Sequence, residues 1–206
     1  MTRFSLLIVL PLLAFTAYAQ PGPDVRVVDE DARSIVIEFI PTFSTATVIA
    51  NDGKDYVRFS FQHSLIQPGE QSSPIIPYRA MLIHLPTRQF TLQVVAADYS
   101  DRSGVRSVTH PMFKAEKDFG LLPVYTPPKS RFLTSEFVPS EIAELENVGE
   151  SMGLIVGTLK LYPVQVSVGR SVARVYSRIV VRIEFGAVEI GLPGSIFLKS
   201  EFPSTS

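Results

Sequence analysis

The chain of 206 residues has no cysteine and no tryptophan. Without cysteine there is no disulfide to staple a small fold, no thiol nucleophile and no lipid-attachment site, so the core alone must hold the domain. Without tryptophan the best stacking surface for a sugar ring is missing. An excess of either charge is missing too: 19 Lys and Arg face 20 Asp and Glu, a formal net charge of −1. That balance argues against a nucleic-acid binder. The three histidines are His63, His84 and His110. None lies four residues from another and no cysteine accompanies them, so zinc-ligand spacing is absent. No internal repeat or low-complexity tract is present.

Hydrophobic runs are short as well. The longest, Leu6 to Phe15, contains Pro11 and is too short to span the ~30 Å of a bilayer core. With Arg3 before it and Ala17-Tyr18-Ala19 after it, the run reads as a secretory signal cleaved before Gln20. The expected organisation is therefore a signal peptide over 1–19, one β domain over 20–186 and a tail or truncated linker over 187–206. The mature protein is expected outside the cytoplasm, whether periplasmic, cell-surface or extracellular, with no membrane span left after signal removal.

What is present is period-two hydrophobicity. From Ala173 onward Ala173, Val175, Ser177, Ile179, Val181, Ile183 and Phe185 fall on one face; Arg174, Tyr176, Arg178, Arg182 and Glu184 fall on the other. This predicts a half-buried strand. Val164, Val166 and Val168 alternate with Gln165 and Ser167 just before it. A two-residue turn at Gly169-Arg170 sets Val166 against Ala173 and Val164 against Val175, with Gly169 supplying a positive φ. A four-residue loop shifts the register by two and keeps the faces matched. At Pro163 the apolar phase changes from Leu159 and Leu161 to Val164 and Val166, which predicts an edge position or a bulge.

Earlier segments alternate in the same way. Strands are predicted over Arg33–Ile40, Thr45–Ala50, Tyr56–Phe61, Tyr78–Leu85 and Phe90–Ala97, with Asn51-Asp52-Gly53 as a turn. Spacing near ten residues with turn chemistry between predicts an all-β, antiparallel β-sandwich, jelly-roll-like. Tyr99 to Ser135 reads as a long, proline-rich connection. Pro139 to Val148 carries the one helix signature, with Ser140 as cap, Glu141 and Glu144 in the first turn, Ile142 and Leu145 as apolar stripe and Gly149 as stop. One further strand is possible at Ser195–Lys199.

Two segments carry a resemblance to a known family. They are LYPVQ followed by a glycine turn and RVYSRIVVRIEF, and PGEQSSPIIPYRAMLIHLP over Pro68–Pro86. Over roughly Val25 to Phe185 the chain resembles the N-terminal propeptide domain of gingipain-type cysteine peptidases and the related sortase-like secretion proteins. The resemblance implies a non-catalytic inhibitor or folding partner of a cysteine peptidase domain. The family's catalytic Cys and His belong to a downstream domain and match no position here. The partner is therefore expected in trans or encoded downstream, and no cofactor is expected. Such a propeptide can lay a loop across a cleft that prefers basic residues. The connection offers Lys129 and Arg131 in PPKSR, stiffened by Pro127-Pro128, and Arg102 in SDRSG.

Other motifs weigh less. Gly149-Glu150-Ser151-Met152-Gly153 matches G-x-S-x-G as a string, but a nucleophile elbow needs a strand before the serine and a helix after it. The acidic clusters Asp29-Glu30-Asp31 and Asp98 to Asp101 lack calcium-loop spacing, and Glu116 with Asp118 makes no better glycosidase pair. A carbohydrate- or surface-binding β-sandwich is the alternative reading, with Tyr56, Tyr78, Tyr99, Tyr125 and Tyr162 as its available platforms.

Overall fold

The computed structural model describes residues 23–50, 52–116, 120–134, 136–151, 153–186 and 198–199. The signal peptide and cleavage site expected from the sequence, and most of the tail, lie outside the described residues.

The alternating segments form two five-stranded antiparallel sheets. The first contains β1 (Val25–Glu30), β2 (Ser34–Phe39), β7 (Phe90–Ser103), β12 (Val164–Ser167) and β13 (Val172–Phe185). The second contains β5 (Leu65–Ile66), β6 (Pro77–Leu85), β10 (Ala143–Ser151), β11 (Leu154–Leu161) and β14 (Leu198–Lys199). Two further hairpins form two-stranded sheets: β3 (Phe43–Ile49) with β4 (Asp55–Phe61), whose Val57 also bridges Ser107, and β8 (Met112–Glu116) with β9 (Gly120–Val124).

β13 is the spine. One of its edges pairs β12 through Val172–Val175 and then β2 through Ile179–Glu184, while the other follows β7 along its length. Val164 stands opposite Val175 and Val166 opposite Ala173, the register of the two-residue turn. Ala173, Val175, Ile179, Val181, Ile183 and Phe185 are buried, and Arg182 and Glu184 are exposed. Ser177 departs from its face: a bulge between Tyr176 and Arg178 pushes it outward, where Oγ donates to the Asp98 carbonyl at 3.2 Å.

The two sheets meet face to face. Ile35, Ile37, Phe39, Ile179, Val181 and Ile183 of the first pack against Met81, Ile83, Leu85, Leu159 and Leu161 of the second. Each such side chain contributes about 1.5–3 kcal/mol by burial. Pro163 marks neither an edge nor a bulge. β11 ends at Leu161 in one sheet and β12 begins at Val164 in the other, so the chain turns a corner between sheets there. This explains the change of apolar phase.

The helix expected over 139–148 is not formed. Residues 143–151 are strand β10, with Glu144 opposite Lys160 and Leu145 opposite Leu159. Ile142 and Leu145 fit a helical stripe, but Ala143 and Leu145 fit a strand equally well. A short helix is marginal alone, whereas pairing with β11 satisfies the backbone and brings Glu146 to Lys160. The helical structure among the described residues is a single 3-10 turn at Ser130–Phe132. The long connection also starts later than expected, because β7 runs on through Ser103.

Candidate partner-docking site

The connection after β7 is held against the body at several points. Near its middle, Thr109 Oγ1 donates to the Thr126 carbonyl at 2.6 Å, and the hydroxyls of Thr126 and Ser72 lie 2.7 Å apart. Thr109 and Ser72 are buried, so these bonds fix Thr126 to the interior. Pro127-Pro128 then limits the backbone torsions. The next residues close a tight turn, with Phe132 N–H donating to the Lys129 carbonyl at 2.9 Å and Leu133 N–H to Ser130 at 3.0 Å.

The far end is held by the β12–β13 turn. Gly169 N–H donates to the Thr134 carbonyl at 2.8 Å. A Cβ on Gly169 would stand 2.7 Å from that oxygen. The glycine is thus required for close approach, and the positive φ expected of it falls at Ser171, φ 52. Next, the Phe137 ring centre lies 4.3 Å from the Arg174 guanidinium, which also lies 4.2 Å from the Tyr99 ring centre. Arg174 also donates twice to Asp101, at 2.8 and 3.0 Å. Val138 exchanges both backbone hydrogen bonds with Val166 at 2.9 Å.

Between these anchors Lys129 and Arg131 share one turn. Lys129 is exposed, and no hydrogen bond or ion pair engages its side chain among the described residues. Arg131 pairs with Glu70, and its guanidinium lies 5.1 Å from the Phe132 ring centre. Arg102 is on a different element, β7, opposite Ala173, with its guanidinium 6.0 Å from the Phe59 ring centre. Beside the turn is a cavity of about 450 Å³, lined by Pro127, Pro128 and Leu133 on one side and by Lys54, Tyr56 and Arg106 on the other. Tyr56 donates to Asp52 at 3.1 Å; burial first, and then that carboxylate, raise its phenol above the ordinary value. Sequence reasoning found the basic turn but not its anchors, because Thr109, Thr126 and Gly169 become significant only through distant partners.

The catalytic alternatives do not assemble. Ser151 ends β10 and faces Leu154 across a tight hairpin turn in which Gly153 has φ 77. The strand-turn-helix of a nucleophile elbow is replaced by strand-turn-strand. His63 occupies a turn with φ 58, His84 is buried on β6 opposite Val156, and burial lowers the pKa of half-buried His110. Among the described residues no three His, Asp or Glu side chains are placed to hold a metal. The acidic clusters serve the fold: Asp31 accepts the amides of Arg33 and Ser34, both at 2.7 Å, and Asp101 binds Arg174. The tyrosines are also engaged. Tyr56 and Tyr162 are buried, Tyr78 packs on Tyr162, and Tyr99 carries Arg174.

No curated protein matches the chain. Two solved structures from Porphyromonas gingivalis resemble it. One is described as a complex of RgpB pro- and mature domains; it is 19% identical, the match covers 82% of this chain and 86% of that one, and the TM-score is 0.69. The other concerns the zymogenic latency of gingipain K; it is 19% identical, with 82% and 95% covered and a TM-score of 0.62. At that identity the likeness is one of fold. The family model Propeptide_C25, however, matches residues 17–191, nearly all of the two-sheet body and its connection. The chain therefore belongs to the Propeptide_C25 family.

Proposed function

We propose that this module is exported behind the signal peptide at 1–19, acts from a jelly-roll-like body spanning 20–186, and serves a gingipain-type cysteine peptidase domain as inhibitor or folding partner. In this reading residues 127–131 lie across the peptidase cleft and Lys129 enters a pocket that prefers basic side chains. The observation that carries it is the fixed turn: it is anchored at Thr126 and Thr134, and the Lys129 ammonium at its start is exposed and has no hydrogen bond or ion pair among the described residues. A loop held rigid before binding loses less entropy when it docks. Arg131, tied to Glu70, supports the turn and is a secondary contact; Arg102 is the weakest of the three.

The test is inhibition of a basic-specific peptidase of this family. Lys129→Ala is expected to raise the inhibition constant at least ~10-fold, the loss typical of one charged hydrogen-bonded contact. Arg131→Ala is expected to have a smaller effect. Unchanged inhibition by Lys129→Ala removes the turn from the mechanism. Absence of inhibition and of refolding assistance by the wild type overturns the function.

A further inference from the structure

The β8–β9 hairpin has an unpartnered face of uniform chemistry. Its register sets Phe113 opposite Pro123 and Ala115 opposite Leu121, so these four side chains share one face and none is charged. Phe113 is 66% and Leu121 67% exposed. Among the described residues each strand pairs only with the other. A two-stranded hairpin is marginal in water without a third strand or a packing surface. A cluster of large exposed apolar side chains marks a surface that another molecule covers.

The position of the hairpin identifies the occupant. Val124 ends β9 and only Tyr125 and Thr126 separate it from Pro127. Thr126 is the residue pinned to Ser72 and Thr109. The hairpin and the Lys129 turn therefore leave the body from one fixed point, and a molecule seated on the turn lies beside the hairpin. We propose that the Phe113–Ala115–Leu121–Pro123 face docks on an apolar, uncharged patch of the peptidase domain bordering its cleft. It supplies binding energy separate from the charged contact at Lys129. This rests on the function proposed above and adds a second, chemically different half to the same interface. The division of labour follows from the chemistry: an apolar face sets affinity by burial, and a single cation sets where the chain enters the cleft.

The experiment uses the full mature chain and a gingipain-type catalytic domain whose nucleophilic cysteine is replaced by alanine, with affinity measured by calorimetry. Phe113→Ser/Leu121→Ser is expected to weaken binding at least ~10-fold while the circular dichroism spectrum and melting temperature stay close to wild type, because both side chains are exposed. Leu121→Met is expected to bind as wild type does. A wild type that binds while the double variant binds equally well overturns the docking face and leaves the proposed function standing. If sedimentation shows a wild-type dimer that the double variant abolishes without change in peptidase affinity, the face belongs to a second copy and the proposal fails. A wild type with no affinity for the catalytic domain removes the proposed function and this face together.

Discussion

Gly169 and Thr134 touch backbone to backbone: the Gly169 amide donates to the Thr134 carbonyl at 2.8 Å, and any Cβ on residue 169 would stand 2.7 Å from that oxygen. The tight turn of the central hairpin is thereby the seat of the connection that carries Lys129. Gly169→Ala needs no unusual torsion, so its cost comes from the clash alone, about 1–3 kcal/mol as for other overpacked sites. It is expected to lower the melting temperature and to open 130–134 to limited proteolysis. Unaltered proteolysis there means that the neighbouring backbone absorbs a methyl group without moving.

The alternation along β13 gives a paired test. Val181 is fully buried and Arg182, one residue on, is exposed. Val181→Asp buries a carboxylate without a partner and is expected to cost more than about 3 kcal/mol, or to prevent folding. Arg182→Asp is expected to stay within about 1 kcal/mol of wild type. Equal midpoints in urea unfolding contradict the assignment of faces.

These expectations were legible because the odd positions of β13 other than Ser177 are buried as the alternation predicts; the even positions Tyr176, expected on the wet face, and Val180 are buried as well, beside the two bulges. The phase of the hairpin was legible for the same reason, since the valines of β12 must meet the apolar positions of β13, but the choice between the two-residue turn and a register shifted by two came from the structure. Three features were hidden. The corner at Tyr162-Pro163 looks locally like a broken strand, and only the two-sheet arrangement shows where each half goes. β10 carries caps and stripe residues that suit a helix, and its partner β11 decides the matter from outside the segment. In the long connection, PPKSR read as a basic loop stiffened by Pro127-Pro128, but the apolar face of β8–β9 depends on a cross-strand register that no pattern within either short strand reveals. The family resemblance pointed to the module's kind, and the side chains that fix the turn had to be read from the structure.

A charge ladder crosses four of the five strands of the first sheet, β1, β2, β13 and β7. Arg26 of β1 pairs with Glu38 of β2, Glu38 pairs with Arg178 of β13 at 2.6 Å, and Arg178 reaches Asp98 of β7 at 3.5 Å. The hydrogen bonds from Arg26 and then Arg178 hold the Glu38 carboxyl below the ordinary glutamate value of 4.5. A depressed folded pKa contributes stability that is present above the unfolded value and is lost as pH falls through the folded one. The melting temperature is therefore expected to fall on acidification below about pH 4.5, the ordinary glutamate pKa. Glu38→Gln is expected to flatten part of that slope. The remainder belongs to Asp31 and Asp101, which are lowered by backbone amides and by Arg174 respectively. Identical pH profiles for wild type and Glu38→Gln show that the ladder carries no linkage.

The last expectation concerns Arg174, which joins three parts of the chain. Its guanidinium lies against both the Tyr99 and the Phe137 ring, 4.2 and 4.3 Å from their centres, and binds both oxygens of Asp101. A flat, forked cation can do this and an ammonium cannot, because lysine neither stacks on aromatic faces as a plane nor spans a carboxylate with two parallel bonds. Arg174→Lys keeps the charge and loses the geometry. Since Asp101 is partly open to water, the ion pair itself is worth little, and a drop of only a few degrees in melting temperature is expected. The larger effect is local. Phe137 tethers the end of the connection, so deuterium exchange over 133–139 is expected to quicken while exchange in β2 and β11 stays unchanged. A less constrained turn loses more entropy on docking, so inhibition of the peptidase should weaken severalfold although Lys129 is untouched. If exchange over 133–139 does not change in Arg174→Lys, the stacking is ornamental to the connection and the rigidity of the Lys129 turn rests on Thr126 and Gly169 alone.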